Sequence, residues 1–490
     1  MATRLSRTAR WVGFCAVAIA CTWSAGGTAF AGGGPENLLI IIDPSNPESK
    51  YVGNYYKNAR NVPDRNVIYL DPGATNYTDF TTSDLDGFLG MLTNRRVDDH
   101  IDYVLIMPGA PFFVTAGGFI SDACSPVTRF AIGSLYTMAF IKNDILGGLP
   151  LTQPNHFYLN SDLARAFDGS TPWLNGAPST NVNARRYVIG AMLGYSGLRG
   201  NTIPEIIALI DRSAAVDGTR PAGTFYFMQT TDALRSAPRD FLYPAAVASI
   251  AALGGQAEHL MAVLPAGRHD ILGIMTGWAS PDIDGTNMTI LPGAFCDHLT
   301  SFAGRFDIAA QTKMSRWIAN GASGSLGAVE EPCNYPGKFP TARLHVHYFQ
   351  GLSLGEAYFR SAEYVPFQML LYGDPLTQPF AYLPSVTVPN APTGPVSGTI
   401  PLTPSATTGR PGAAIAEHDL LIDGRRVATV ADGGSFSLDT TSFSDGMHDV
   451  RVISYDNTLV RSQGRWLGQI VFNNLGRTVN LGVTAATPAP

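Results

Sequence analysis

Asn37-Leu-Leu-Ile-Ile-Ile-Asp43 is an unbroken apolar run of strand length, closed by an Asp-Pro pair. A strand with one solvated face alternates polar and apolar residues. A run without alternation fits a strand buried on both faces of a parallel sheet. Residues 44–49 then read as a turn, 50–58 as a helix, and Val62-Pro63 stops that helix before a second strand over 66–70. The result is one strand–helix–strand unit with a right-handed crossover.

The alternation continues downstream. Strands are expected over 101–107, 187–193, 223–228, 270–276, 290–295, 325–329 and 369–372. Helices are expected near 127–145, from Thr202 through Ile210, over 243–260, ending at 317–319, and over 354–360. Thr202-Ile-Pro-Glu205 carries a capping hydroxyl, an early Pro and Glu at the reciprocal capping position. This order argues for one α/β domain over 32–382, a mostly parallel sheet flanked by helices. Residues 383–395, with four prolines, read as a linker. Beyond it, short alternating strands are punctuated by Asp423-Gly424 and Asp445-Gly446, so 396–480 reads as a small all-β sandwich and 481–490 as a tail.

Residues 1–31 have the form of an export signal: Arg4, Arg7 and Arg10, an apolar core over 11–21, and Ala29-Phe-Ala31 for cleavage after Ala31. The expected location is therefore secreted, periplasmic or at the cell surface. No later apolar run reaches the roughly 20 residues of a membrane span, so no integral membrane segment is expected. Removing the signal takes away three positive charges and no acidic residue, so the net charge of −6 becomes −9. With no Lys/Arg-rich segment, nucleic acid is excluded as a partner; a peptide, protein or glycan outside the cytoplasm is not.

Three of the five cysteines follow the signal: Cys124, Cys296 and Cys333. Either Cys124 pairs with Cys333 and Cys296 stays free, or all three are thiols. No CxxC metal spacing occurs. Gly321-x-x-Gly-x-x-Gly327 leads into a strand, the reverse of a dinucleotide site, and no cofactor is expected.

Side chains at the carboxyl ends of parallel strands line functional crevices. Here those ends offer Asp43, Pro108, Trp278, Glu330, Glu331 and Asp374, with Cys296 close to another. Asp43, Glu331 and Asp374 could together hold a divalent cation; the competing reading is turn closure, since Asp43, Glu331 and Asp374 all precede proline. Cys296 is a candidate nucleophile and His298, two residues on, its candidate partner. Adjacent side chains on one strand face stand side by side, however, so a base from another strand would serve better. The residue at the end of the 270–276 strand is Trp278, whose indole only donates. Trp278, Asp297, Thr300, Ser301, Glu330 and Glu331 are the candidate binding residues.

Several segments resemble a family of uncharacterised exported bacterial proteins. They are Tyr55-Tyr56 with Arg60-Asn-Val-Pro63, residues 206–211, Thr276-Gly-Trp278, Asp297-His-Leu-Thr-Ser301, Gly327-Ala-Val-Glu-Glu-Pro332 and Tyr372-Gly-Asp-Pro-Leu376. That resemblance covers about 36–382 and implies export and architecture rather than a reaction. The same region is distantly similar to gingipain-type cysteine peptidases, which implies a caspase-like α/β fold. In those enzymes a Gly-His-Gly follows one strand and the catalytic Cys follows the next. Gly277-Trp278-Ala279 occupies the first place with Trp where His is needed, and Ala294-Phe-Cys296 the second. The C-terminal segment resembles the immunoglobulin-like modules of many secreted bacterial proteins. The expectation is a catalytically degenerate domain that binds a peptide or glycan in its crevice; the alternatives are a cysteine hydrolase using Cys296 and a metal-dependent hydrolase.

Overall fold

The computed structural model describes residues 33–73, 76–121, 126–146, 152–331, 334 and 336–477. The expected signal, Cys124, Cys333 and the tail lie outside them.

Ten strands form one sheet: β1 (Leu38–Ile42), β2 (Val67–Tyr69), β3 (Tyr103–Ile106), β4 (Ile189–Met192), β5 (Thr224–Gln229), β6 (Gln256–Met261), β7 (Ile271–Thr276), β8 (Ile290–His298), β9 (Gly324–Ala328) and β10 (Met369–Gly373). Their order is β6-β5-β7-β8-β9-β10-β4-β3-β1-β2. All neighbours run parallel except β9 and β10, which pair antiparallel from Gly324↔Gly373 to Ala328↔Met369. The sheet therefore consists of two parallel five-strand blocks of opposite direction. Every side chain of β1 is buried, as the unalternating run requires.

The reversal corrects the expected crevice. Asp43, Pro108 and Asp374 follow β1, β3 and β10 on one edge of the sheet. Trp278, Glu330 and Glu331 follow β7 and β9 on the opposite edge. Residues expected to converge lie at opposite ends of the strands.

Local signals explain most elements. The helix after β1 is Pro47–Arg60, capped by Asn46 Oδ1 accepting from the Ser49 amide at 3.1 Å. It starts three residues earlier than expected because proline fits the first helical turn, where its missing N–H is not required. Helix Ile203–Val216 shows the full Thr202–Glu205 capping box. The helix expected over 243–260 ends at Ala252. Gly254 adopts φ +83° and the chain turns into edge strand β6. The helix expected near 127–145 is instead strand Pro126–Ala131, paired with Phe113–Ser121, followed by helices Ile132–Thr137 and Lys142–Leu146.

The C-terminal part holds a four-stranded antiparallel sheet, in order Arg425–Ala431, Ile415–Ile422, Gly446–Asp456, Gln463–Phe472. Asp423 (φ 51°) and Gly424 (φ 74°) make the expected two-residue turn. Two small strand pairs complete it: Thr399–Leu402 with Phe436–Asp439, and Ser385–Thr387 with Ser405–Thr407. The segment expected as a linker thus supplies a strand, and Val388 is buried in the second hydrophobic core. That core is separate from the larger one around the ten-stranded sheet.

The two parts meet over buried charge. Glu36, 2% exposed, accepts from Arg451 Nη1 at 3.0 Å and Arg465 Nε at 3.3 Å. Burial pushes its carboxyl up, but Arg465 and Arg451 outweigh it and hold the group below its usual range. Gln463 Nε2 donates to Asn37 Oδ1 at 3.1 Å, and Arg426 Nη2 to the Asp99 carbonyl at 2.7 Å. Among the described residues, no helix is long and apolar enough to cross a membrane.

Candidate functional site

The 290–295 strand expected before Cys296 runs on to His298, which moves the Cys-Asp-His triplet from the rim into the sheet. Cys296 lies in register with Ile274 and is fully buried. Burial pushes its thiol well above the usual range, and the Asp297 carboxylate adds to that; only the Ile274 backbone opposes. A nucleophilic cysteine needs a cationic, partly exposed setting that favours thiolate, and this one has neither property.

His298 shares the Cys296 face and is fixed as a neutral ring. Trp317 Nε1 donates to its Nδ1 at 3.0 Å, and its Nε2 meets the Thr312 carbonyl at 3.0 Å. An indole only donates and a carbonyl only accepts, so the proton sits on Nε2. Burial lowers the pKa to about 4. Both nitrogens are engaged, which leaves no lone pair for a thiol. Of the other buried histidines, His345 packs against Phe225, Phe227 and Phe295, and His347 lies on the same helix, Arg343–Phe349.

Asp297 points to the other face. Arg239 Nη1 donates to its Oδ2 at 2.5 Å, and Arg239 Nη2 to the Thr276 carbonyl at 2.8 Å. Both side chains are at most 1% exposed. Burial raises the Asp297 pKa and Arg239 opposes it. The pair ties helix Ala233–Asp240 to the ends of β7 and β8. That helix also explains Gly277: a Cβ there would lie 2.2 Å from the Arg235 carbonyl, so only glycine lets the chain pass before Trp278. Trp278 emerges half-buried beyond this crossing. Its ring has no hydrogen bond or aromatic partner among the described residues.

Thr300, Ser301 and Glu331 do come together. With Leu234, Arg235, Leu299, Asn334 and Phe339 they line a pocket of about 150 Å³. Arg235 Nε donates to Thr300 Oγ1 at 3.1 Å, which donates to Gln311 Oε1 at 2.8 Å. Leu234 is 74% exposed at the mouth and Phe339 is buried in the wall. Glu331 is exposed and lines the same opening as Arg235. Glu330 is not part of it. Its carboxylate accepts from the amides of Thr128 (3.0 Å) and Arg129 (2.9 Å) and from Gln368 Nε2 (3.2 Å), clamping the 113–131 hairpin.

The expected metal set is dispersed. Asp43 Oδ1 closes its own turn, accepting from Ser45 N and Oγ at 2.7 Å each. Asp374 is buried in a different network, accepting from Tyr56 Oη (2.8 Å), Arg60 Nε (2.8 Å) and the Leu376 amide (3.0 Å); Arg60 also pairs with Asp217. Among the described residues no group of three His, Cys, Asp or Glu could hold a metal ion. The Tyr-Tyr…Arg and Gly-Asp-Pro-Leu motifs therefore meet each other in a structural ion cluster.

Arg235, Arg239, Asn334 and Phe339 were not anticipated. Asp232, which accepts from the Arg235 amide as helix cap, was the available signal, masked by Pro238 within the helix.

No family model matches this sequence, and no curated protein matches it. Among solved structures, the chain is similar to the fibronectin(III)-like modules of Clostridium thermocellum CbhA, at 17% identity and TM-score 0.17 over 24% of this chain; it spans 58% of that chain's length. It is also similar to the endo-β-1,4-mannanase of Thermotoga petrophila, at 10% identity and TM-score 0.15 over 91% of this chain and 99% of that one. At such scores neither likeness bears on fold or function.

Proposed function

We propose that the chain is an exported, non-catalytic binding protein. Its pocket at the carboxyl ends of β7 and β8 takes a peptide side chain from a partner outside the cytoplasm. In this reading the ten-stranded part is a caspase-like domain whose catalytic apparatus has degenerated. Gly277-Trp278-Ala279 and Cys296 keep the histidine and cysteine places on adjacent strands. The C-terminal part is an immunoglobulin-like sandwich that assists surface association, and cleavage after Ala31 releases the protein to the periplasm, cell surface or medium.

The observation that carries this reading is the pocket itself. Leu234, Leu299 and Phe339 give it an apolar lining, and Arg235, which also pairs with Asp232, and exposed Glu331 add one charge of each sign. An apolar side chain between two charges of a peptide matches that arrangement. The burial of Cys296 and the occupied nitrogens of His298 weigh against the cysteine hydrolase, and the separation of Asp43 and Asp374 from Glu331 against the metal hydrolase.

A peptide array probed with the chain from residue 32 onward tests the proposal. Peptides with an apolar residue flanked by opposite charges are expected to bind. Ser301→Trp, which fills the pocket, should weaken the best of them by about tenfold or more, or about 1.4 kcal/mol, with the melting temperature retained. Unchanged affinity in that variant, or binding confined to a glycan array, would overturn the peptide reading.

A further inference from the structure

A larger cavity, about 460 Å³, opens beyond the 299–313 loop. Its wall comes from residues 280–284 after β7, from Thr312, Lys313 and Arg316, and from Arg199 in the turn after β4. None of these residues lines the smaller pocket.

The charges in this wall are unequally satisfied. Arg316 Nη2 donates to Asp284 Oδ1 at 2.6 Å, and Asn320 Nδ2 adds a bond to the same oxygen at 2.8 Å, so that pair is closed on itself. Asp282 Oδ1 accepts from the Gly285 amide at 2.9 Å, yet the residue stays exposed. Arg199 differs. Its Nη1 donates to the Phe306 carbonyl at 3.1 Å, and no carboxylate among the described residues pairs with it. Its backbone is held at φ 65°, a conformation that costs an L-residue about 1–2 kcal/mol, with Ser315 Oγ donating to its carbonyl at 2.7 Å. Beside it Lys313, 5% exposed, donates to the carbonyls of Phe302 (2.9 Å) and Ala310 (2.6 Å). Two of its three N–H bonds are used.

Arg199 and Lys313 are neighbouring cations in no ion pair among the described residues, the Asp307 charge acting on Lys313 without direct contact, and in a cavity of small-ligand size they suit an anion. A guanidinium fork donates two parallel hydrogen bonds to a planar carboxylate. The chain from residue 32 carries −9, which repels extended polyanions and favours a small ligand with one negative group. The wall also presents acceptors, exposed Asp282 and Ser280, that suit hydroxyl donors.

We propose that this cavity binds an acidic sugar, its carboxylate on Arg199 and Lys313 and its hydroxyls on Asp282 and Ser280. A free uronic acid and the uronate end of a glycan share this chemistry.

Titration calorimetry with sodium glucuronate, glucose and sodium sulfate on the chain from residue 32 tests the assignment. Glucuronate is expected to bind about tenfold or more tighter than either control, and Arg199→Gln to remove about tenfold of that affinity. Equal binding of glucose would overturn the role of charge, and equal binding of sulfate the role of the sugar. Should R199Q fail to fold, D282A carries the test: it should weaken glucuronate and leave sulfate unchanged, and an unchanged glucuronate affinity overturns the proposal. Methyl β-glucuronide that binds like the free acid assigns a chain end; its rejection assigns a free uronic acid. Ser301→Trp should leave glucuronate binding intact, which separates this site from the peptide pocket.

Discussion

Cys296 on β8 lies beside Ile274 of β7, four residues before Trp278, and the two settings are opposite. The thiol is enclosed in the sheet, with burial opposing its ionisation; the indole stands half-open past the Gly277 crossing. The thiolate is the reactive form. In a chain with Cys124 and Cys333 changed to serine, a disulfide-exchange reagent at about pH 8 should therefore label Cys296 far more slowly than free cysteine, and fully only after urea. Labelling of the folded protein at the rate of free cysteine would restore the nucleophile. Trp278 was legible in the sequence as the residue following a strand and a glycine. The burial of Cys296, Asp297 and His298 within the sheet was not, because nothing in Phe295-Cys-Asp-His298 marks where the strand stops. Two further pairings, Asp297 to Arg239 and His298 to Trp317, keep the strand going. Those partners are 58 and 19 residues away, so no local pattern announces them.

Helix Arg343–Phe349 shows what an element can do to a titratable group. It presses His345 against Phe225, Phe227 and Phe295, with neither ring nitrogen hydrogen-bonded among the described residues. Burial, with Arg239 adding, lowers the pKa to about 3. The folded state therefore stays neutral while the unfolded chain takes a proton near pH 6.5, so this ring's contribution to stability is whole above that value. It falls as the pH drops from about 6.5 toward 3, at up to about 1.4 kcal/mol per pH unit. Glu356, raised by burial to about 7, acts in the opposite sense between about 4.5 and 7, so the informative quantity is a difference. His345→Phe should be as stable as the parent or more so at about pH 7, and its advantage in urea unfolding should widen on acidification. A gap independent of pH would show that the ring is charged or paired in the fold. At this scale the sequence was legible where caps or unalternating runs were present, as in β1 and Ile203–Val216. It was not legible at β10, since an apolar Met-Leu-Leu-Tyr run reads the same in either direction.

The buried charge between the two parts of the molecule centres on one acid. Glu36, two residues before β1, serves both Arg451 and Arg465 from the C-terminal sheet. Breaking a buried pair by removing one partner costs about 3–5 kcal/mol, because the other charge is left behind. Glu36→Ala should therefore lower stability by about that amount and expose residues 383–395 to proteolysis. If the variant melts like the parent and resists cleavage equally, the contact is dispensable. The ten-stranded sheet has a different dependence. Its two blocks are joined only by β10, which lies between β9 and β4 and is the last of the ten strands in the sequence. A chain emerging from its amino end thus carries two unfinished half-sheets, each with an open inner edge, until Met369–Gly373 is available to close them. Synthesis must be three-quarters complete before the native topology can exist at all, and the order of the strands makes this protein a late folder by construction.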